Sequence, residues 1–241
     1  MPPDSRPLGS DIKGAALDEL AMSGIRKRPV RSASRATLLA AGTELFARHG
    51  YSGTSVERIA RRARVNRAMV SYHFGGKMKL YRCALEAGLG GLAARMGPIH
   101  GSSAPAPERL RALVAAFGAV ATEQAHFPTL MLREILAGGH RLDRELMAHL
   151  VSIFGLVREV VEQGVRQRSF RRVDPLLTHL SLIGSLVFFF ATTPARNRLI
   201  RQRSLPLRRA PSAAEYVRHI QELVTFGLAA PASPPVGKVG S

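Results

Sequence analysis

Apolar residues recur every three or four positions along most of this chain, and no stretch alternates apolar and polar residues as a half-buried strand would. The first helical segment runs from Ser34 to Gly50, and two shorter ones begin near Thr54 and Asn66. The same spacing predicts further helices near 77–96, 107–125, 127–138, 141–168, 174–198 and 211–229. The chain is therefore predicted to be all-α, with about nine helices.

Three residues mark helix ends in the first part of the chain. Gly50 lacks a Cβ and suits a left-handed C-terminal cap. Thr54 followed by Glu57 fits a capping box, in which the threonine hydroxyl accepts from the backbone N–H of Glu57. Asn66 is a good N-cap for the next helix. Two short helices joined by a tight corner are the plan of a helix-turn-helix.

The two ends of the chain differ in composition from its helical middle. Residues 1–31 are rich in Pro, Gly, Ser and charge, and they are predicted to form a disordered basic arm. Residues 230–241 are predicted to form a disordered tail. The sequence between them divides into a basic three-helix domain over 32–78 and a larger, more apolar helical domain over 79–229.

Positive charge is concentrated near the N-terminus. The stretch from Arg26 to Arg82 holds 14 of the 35 Lys and Arg residues but only two acids, Glu44 and Glu57, in a chain of formal net charge +18. Such a cluster is the electrostatic footprint of a polyanion-binding protein. The predicted partner is double-stranded DNA.

Membrane association is not predicted. The apolar run from Leu176 to Thr192 is shorter than the roughly 20 residues that a membrane span needs, and the cations do not follow one face of an amphipathic helix. The N-terminus carries acids and lacks a long apolar run, and the single cysteine, Cys83, suits a reducing compartment. We therefore expect a cytoplasmic protein.

The sequence shows no pattern typical of catalysis or of a metal site. His140 and His149 lie nine residues apart without a cysteine partner, so surface histidines are the favoured interpretation. A Walker loop, a dinucleotide fingerprint and a nucleophile elbow are all missing, and Gly75-Gly76 and Gly138-Gly139 are typical of helix ends. No catalytic residue, cofactor or metal is predicted, and the protein is not expected to be an enzyme.

The most informative segments are FARHGY and, after it, TSVERIARRARVNRAMVSYHFGGKMKLY. Over about fifty residues they resemble the TetR/AcrR family of bacterial transcription regulators, and YHFGGK is the most specific part. The resemblance implies an N-terminal helix-turn-helix domain and a C-terminal helical domain that binds a ligand and dimerises. It further implies a homodimeric repressor that a small-molecule effector releases from its operator.

The resemblance also implies which residues contact DNA. Arg67, Ala68 and Met69 correspond to positions that touch base edges, Tyr72 and His73 to positions that touch bases or phosphates, and Lys77 to a phosphate contact at a helix start. Ser71 departs from the tyrosine that many relatives carry, so one phosphate contact is either weaker or replaced by Arg31 or Arg35. The predicted DNA-binding set is Arg35, Thr54, Ser55, Asn66, Arg67, Ala68, Met69, Ser71, Tyr72, His73 and Lys77.

The C-terminal domain offers two further sets of candidates. A ligand pocket is predicted around Phe117, Phe127, Met131, Glu134 and Phe154. Glu134 is either a polar anchor in that pocket or part of an exposed helix face. The last two long helices are predicted to form a four-helix bundle with a second subunit, through Leu182, Leu186, Phe189, Leu223 and Phe226.

Three alternatives stay open. The arginine-rich segment 196–209 is either a solvated insertion or a second anion contact, with DNA or with an acidic ligand such as an acyl-CoA. The basic domain would also suit an architectural protein that binds DNA without sequence preference, with an affinity dominated by salt. An enzyme built on the apolar domain is the third alternative, and the lack of a nucleophile, base or metal set argues against it.

Overall fold

The computed structural model describes residues 30–204 and 209–231, and side chains from Arg35 onward. These residues form ten α-helices, a single 3-10 turn at Gly97–Ile99 and one isolated β-bridge. The helices are α1 (Val30–His49), α2 (Val56–Ala63), α3 (Ala68–Phe74), α4 (Lys77–Met96), α5 (Ala106–Glu123), α6 (Phe127–Leu136), α7 (Arg144–Arg166), α8 (Pro175–Ala191), α9 (Thr193–Arg201) and α10 (Ala213–Leu228). The all-α prediction is confirmed.

Helices α1 to α3 form a small unit that packs onto the start of α4. Helix α1 contacts α2, α3 and α4, and the apolar faces enclose a core that includes Leu38, Phe46, Ile59 and Val70. Gly50 has φ 71°, the left-handed value predicted for the end of α1. Burial of these faces orients α2 and α3 as a helix-turn-helix, with the opposite face of α3 turned to solvent.

The cap at the start of α2 differs from the prediction. Ser55 is the N-cap, and its hydroxyl accepts from the backbone N–H of Arg58 at 3.2 Å. Thr54 instead donates from its hydroxyl to backbone carbonyls, to Gly50 at 2.8 Å and to Leu45 at 3.1 Å. The predicted capping box on Thr54 is therefore wrong, because this side chain fastens the turn between α1 and α2.

The larger part of the fold is a bundle of helices α4 to α10. Helix α4 begins in the N-terminal unit and continues into the bundle, where it packs on α5, α6 and α7. Helix α8 packs on α6 and α7, while α10 lies mainly against α5. At Gly88 of α4 an added Cβ would lie 1.9 Å from the Phe127 ring, so α4 and α6 cross at close range. The predicted helix positions agree with the observed ones to within a few residues.

The helix predicted over 174–198 is interrupted at Thr192. Pro194 follows two residues later and has no backbone N–H to donate, while the Thr192 and Thr193 hydroxyls donate to the carbonyls of Phe188 at 2.7 Å and Phe189 at 3.0 Å. The chain therefore bends by 51° between α8 and α9. Among the described residues no single helix is long and apolar enough to cross a membrane, and α8 with α9 meets that criterion only as this bent pair.

Several predictions fall on chain ends or gaps. The predicted basic arm, 1–31, lies almost entirely outside the described residues, although α1 already begins at Val30. Most of the predicted tail, 230–241, also lies outside them. The arginine-rich segment 196–209 begins in α9, and residues 205–208 are outside the described ranges.

Candidate nucleic-acid interface and internal cavity

The exposed face of α3 carries most of the residues predicted to contact DNA. Ala68 and Ser71 are exposed, and 58% of the Tyr72 side chain is accessible to solvent. Arg67 lies just before the helix, and its guanidinium is 3.0 Å from the Glu57 carboxylate on α2. The ion pair is exposed on both sides, so it holds Arg67 only weakly and leaves it available to a base edge.

His73 occupies a less exposed position on the same helix. Its ring stands edge-on to Tyr72 at a centroid distance of 5.0 Å, and its Nε2 is buried without a hydrogen-bond partner among the described residues. Phe74 is buried in the core, and the Arg35 guanidinium lies 5.0 Å from the centre of that ring. Arg35 of α1 thus contacts an aromatic residue of α3, while His73 contacts the neighbouring aromatic residue within that helix.

Lys77 is the first residue of α4 and lies beside Tyr51. Its Nζ is 4.1 Å from the centre of the Tyr51 ring, and the guanidinium of Arg141 lies 4.6 Å from the same ring. Partial burial, and then the neighbouring charge of Arg141, lower the pKa of the Lys77 ammonium. A phosphate at this helix start would relieve that electrostatic cost by offering a negative partner.

Three residues predicted to contact DNA make contacts within the protein instead. Thr54 is 1% exposed, and its hydroxyl is engaged with carbonyls inside the turn, so it cannot reach DNA in this conformation. Met69 is partly buried against the core. The Asn66 side chain accepts from the backbone N–H of Ala68 at 2.8 Å, and so it stabilises the start of α3. Ser55 caps α2, as described above, from an exposed position.

Helix α6 joins the bundle to the N-terminal unit. The Arg133 guanidinium donates from Nε to the carbonyl of Ala47 at 2.7 Å, and from a terminal nitrogen to that of Arg48 at 3.1 Å. Both carbonyls belong to the last turn of α1, where a cation is favourable because it compensates unpaired carbonyls. The sequence analysis did not identify Arg133, because the partner carbonyls lie about 85 residues away in the chain.

Glu134 is neither a pocket residue nor exposed. It is 1% exposed and accepts hydrogen bonds from the Tyr81 hydroxyl at 2.7 Å and from the backbone N–H of Arg141 at 2.9 Å. The prediction of a polar anchor in the ligand pocket is therefore wrong. Glu134 ties α6 to α4 and to the turn before α7, and so it shares with Arg133 the connection to the N-terminal unit.

A cavity of about 420 Å³ lies between α4, α5, α6, α7 and α8, and it is partly open to solvent, since Ile135, Leu180 and Phe188 in its lining are more than half exposed. Three residues predicted for a ligand pocket, Phe117, Phe127 and Met131, lie in its wall. Phe154 does not reach the wall and lies behind it, with its ring edge-on to His179 at 5.5 Å. The remaining lining residues are Leu89, Leu92, Pro128, Leu132, Ile135, Leu150, Ile153, His179, Leu180, Ile183, Gly184, Val187 and Phe188.

Three of the five residues predicted for a dimer interface are core residues. Leu182, Leu186 and Phe189 are at most 7% exposed within a single chain, so they are not available to a second one. Phe189 stacks on Tyr216 with ring centroids 3.8 Å apart, and the Arg196 guanidinium lies 4.0 Å from its ring centre. The other two predicted residues, Leu223 and Phe226, are exposed, and 83% of Phe226 is accessible.

The large exposed apolar side chains of α8 and α10 make up a set of six. We call it the α8–α10 apolar face, and its members are Leu176, Leu177, Leu180, Phe188, Leu223 and Phe226. Leu177 and Leu223 line the same surface groove, which shows that the two helices contribute to one patch. Leu180 and Phe188 also line the internal cavity, so the patch adjoins its rim.

Neither histidine singled out by the sequence belongs to a cluster of three possible metal ligands among the described residues. His140 is exposed, and His149 is 3.0 Å from the Glu86 carboxylate. No cluster of three or more His, Cys, Asp or Glu residues occurs within residues 30–204 and 209–231.

Comparison with known proteins places the chain among transcription regulators. Residues 38–83 match the family described as bacterial regulatory proteins, tetR family. Residues 103–190 match the tetracyclin repressor-like C-terminal domain. The transcriptional repressor NicS of Pseudomonas putida is 28% identical over 198 residues, which cover 81% of this chain and 92% of NicS. The transcriptional regulator Mb3439c of Mycobacterium bovis is 38% identical over 89 residues, which cover 36% of this chain and 45% of Mb3439c.

Solved structures share the same architecture. The TetR family regulator PfmR from Thermus thermophilus superposes with a TM-score of 0.63 at 24% identity, over 78% of this chain and 97% of PfmR. The ketosteroid transcriptional regulator KstR2 of Mycobacterium tuberculosis gives a TM-score of 0.67 at 21% identity, over 82% of this chain and 95% of KstR2. At these identities the likeness establishes the fold.

The two matched segments make up more than half of the chain, and the first contains the helix-turn-helix with its exposed α3. With the relatives and the shared fold, they establish that this chain belongs to the TetR family of DNA-binding transcription regulators and is not an enzyme.

Proposed function

We propose that this regulator is a homodimeric repressor that a small molecule in the internal cavity releases from its operator. The observation that carries the proposal is the double role of helix α6. Phe127 and Met131 on this helix line the cavity, and Arg133 on the same helix holds the last turn of α1. A short, rigid helix therefore connects the candidate effector site with the DNA-binding unit.

Release follows from differential binding. A molecule that fits the cavity better when α6 is displaced shifts the protein toward that state, and the amount of shift is set by its differential affinity for the two states. Displacement of α6 moves Arg133, which holds α1, and Glu134, which holds α4 through Tyr81. Both contacts act on the position of α3, and this position determines how the protein fits the major groove.

A second subunit is required because one short recognition helix reads few base pairs. Two α3 helices must lie about one DNA turn apart, roughly 34 to 36 Å, to bind adjacent major grooves. The α8–α10 apolar face supports dimerisation, because exposed apolar patches of this kind are typical of interaction surfaces. Burying it against the same face of a second copy gives a symmetric four-helix contact.

The similarity to NicS favours repression over activation, because the match covers most of the length of NicS. NicS, which this chain matches over 92% of its sequence, is a repressor. A reporter gene placed behind the operator tests the sign of regulation directly. Expression of the regulator should lower reporter output, and an increase would identify an activator.

A cavity-filling variant tests effector control. Leu150→Trp on α7 places a large ring in the cavity, while Met147→Trp adds the same ring one turn earlier at an exposed position and serves as the control. Fluorescence anisotropy of a labelled operator is measured with fractions of an organic extract from the source organism. We expect a fraction that releases the wild type and Met147→Trp but not Leu150→Trp.

Two results would contradict this account. Release of Leu150→Trp by the same fraction would place the effector site elsewhere. Operator binding that no fraction alters would contradict effector control itself. Thermal melting of both variants, followed by circular dichroism, confirms that each is folded before the comparison is made.

A further inference from the structure

The walls of the internal cavity are almost entirely apolar. Among the described residues that line it, His179 on α8 is the one ionisable side chain, and the others are aliphatic, aromatic, glycine, proline or methionine. The wall therefore contains neither a lysine or arginine that would balance an anion nor a carboxylate that would balance a cation. A charged group placed in this cavity would lose its hydration without gaining an opposite charge.

His179 stands in this wall without a partner inside the protein. Its Nδ1 is shielded from solvent and makes no hydrogen bond with the described residues, and its ring rests edge-on against Phe154. A buried polar nitrogen without a hydrogen bond is unfavourable, and an apolar residue would fill the same position at lower cost. Because a water-sized molecule does not reach Nδ1 in this conformation, a ligand in the cavity pairs with it only if the imidazole ring turns toward the cavity.

The ionisation of His179 limits what that partner can be. Burial lowers the pKa of its imidazole, so the ring is neutral around pH 7 and above. A neutral imidazole has one donor and one acceptor nitrogen. Its complement is a hydroxyl, carbonyl or amide group, whereas a carboxylate or phosphate would prefer an imidazolium or another cation.

We propose that the effector is an uncharged, largely apolar molecule with a hydrogen-bonding group that pairs with His179. This inference rests on the proposed function, because it takes the cavity as the effector site. The volume of about 420 Å³ lies within the range of known small-molecule sites. A fatty acid anion or an acyl-CoA thioester would have to leave its charged group at the mouth of the cavity, beside the exposed Leu180 and Phe188, because the wall does not balance that charge.

A matched pair of probes tests the chemical class. Isothermal titration of the full-length chain at pH 8.0 compares 1-decanol with decanoate, which share a ten-carbon skeleton and differ in the charge of the end group. We expect 1-decanol to bind at least about tenfold more tightly, since burial of an unpaired charge is disfavoured. His179→Leu should weaken 1-decanol binding about fivefold, the effect of losing one neutral hydrogen bond.

His149→Leu is the control, because it makes the same chemical change on α7 outside the cavity lining, and it should leave 1-decanol binding unchanged. Tighter binding of decanoate, unchanged 1-decanol affinity in His179→Leu, or failure of both probes to bind would each overturn the proposal. Operator anisotropy is measured separately with 1-decanol. Binding that depends on His179 but leaves the operator bound would contradict effector control and leave the assigned chemical class standing.

Discussion

The hydroxyl of Tyr81 on α4 donates a 2.7 Å hydrogen bond to the buried carboxylate of Glu134 on α6. Burial first, and then this hydrogen bond, raise the pKa of the Tyr81 hydroxyl, which keeps it protonated as a donor. The same carboxylate accepts from the backbone N–H of Arg141 at 2.9 Å. The pair therefore fixes the helix that leaves the DNA-binding unit against the helix that lines the cavity.

Tyr81→Phe should lower the free energy of unfolding by about 1.5 to 3 kcal/mol, because it removes a donor from a buried carboxylate. Tyr216→Phe is the control, since that hydroxyl donates to the neutral carbonyl of Ser185 at 3.1 Å and should contribute only about 0.5 to 1.5 kcal/mol. Urea denaturation measures both variants. Equal losses of unfolding free energy in the two variants would show that the hydrogen bond to Glu134 contributes no more than one to a neutral carbonyl.

Lys77→Ala should weaken binding to operator and to random DNA by similar factors, because a phosphate contact carries no base identity. The slope of log K against log salt concentration should become shallower by about one unit for each site contacted. Arg95→Ala removes the same charge near the far end of α4, where Arg95 pairs with Glu123, and should leave the slope unchanged. A slope unaffected by Lys77→Ala would refute the phosphate contact.

Phe226→Glu should dissociate the proposed homodimer, because it places a carboxylate in an apolar contact without a partner. The residue is 83% exposed in one chain, so the variant should fold normally. Leu136→Glu introduces the same charge at an exposed position outside the α8–α10 apolar face and should remain dimeric. Analytical ultracentrifugation distinguishes the two, and a dimeric Phe226→Glu at nanomolar concentration would place the interface elsewhere.

His179 should make stability depend on pH. Because burial lowers its pKa in the folded state, the unfolded chain binds the proton first as pH falls below about 6.5. Stability is therefore highest above that pH and declines toward the lowered pKa of the folded state. Between pH 7.5 and 5.5 the wild type should lose more unfolding free energy than His179→Leu, and equal losses would contradict a neutral buried imidazole.

The sequence was sufficient to predict the helices and the place of the recognition helix, because helical spacing and turn residues act locally. It did not distinguish residues whose roles depend on distant contacts. Thr54 and Ser55 are adjacent hydroxyl residues, and only the carbonyls of Leu45 and Gly50 decide which one caps α2. Glu134 could not be assigned because its partner Tyr81 lies 53 residues away.

Three of the five residues predicted for the dimer interface lie on the buried side of α8, and they were misassigned for a related reason. Phe189 and Phe226 are both phenylalanines on apolar helices, and periodicity alone does not say which face meets the protein's own core. Phe189 is buried by Tyr216 from α10, while Phe226 points to solvent. His179 interrupts the apolar run from Leu176 to Thr192, so the sequence does indicate a polar residue in a buried helix. It does not indicate which group that residue contacts.

Arg67→Ala and Tyr72→Ala should relax discrimination among operator variants while leaving general DNA affinity largely intact. A bidentate contact of arginine with a base is worth about 1 to 3 kcal/mol against the wrong base. Both residues are exposed at α3, where that contact is geometrically available. Selection from random DNA should return a less informative motif for each variant than for the wild type, and an undiminished motif would exclude the tested residue from base recognition.

The sequence of the DNA that the wild-type chain retains from its own genome tests the central claim most directly. A dimeric regulator should enrich a few sites that share a two-fold symmetric motif, with half-site centres about 10 base pairs apart. Even coverage of the genome, with retention governed by salt concentration alone, would contradict sequence-specific regulation and indicate an architectural DNA-binding protein.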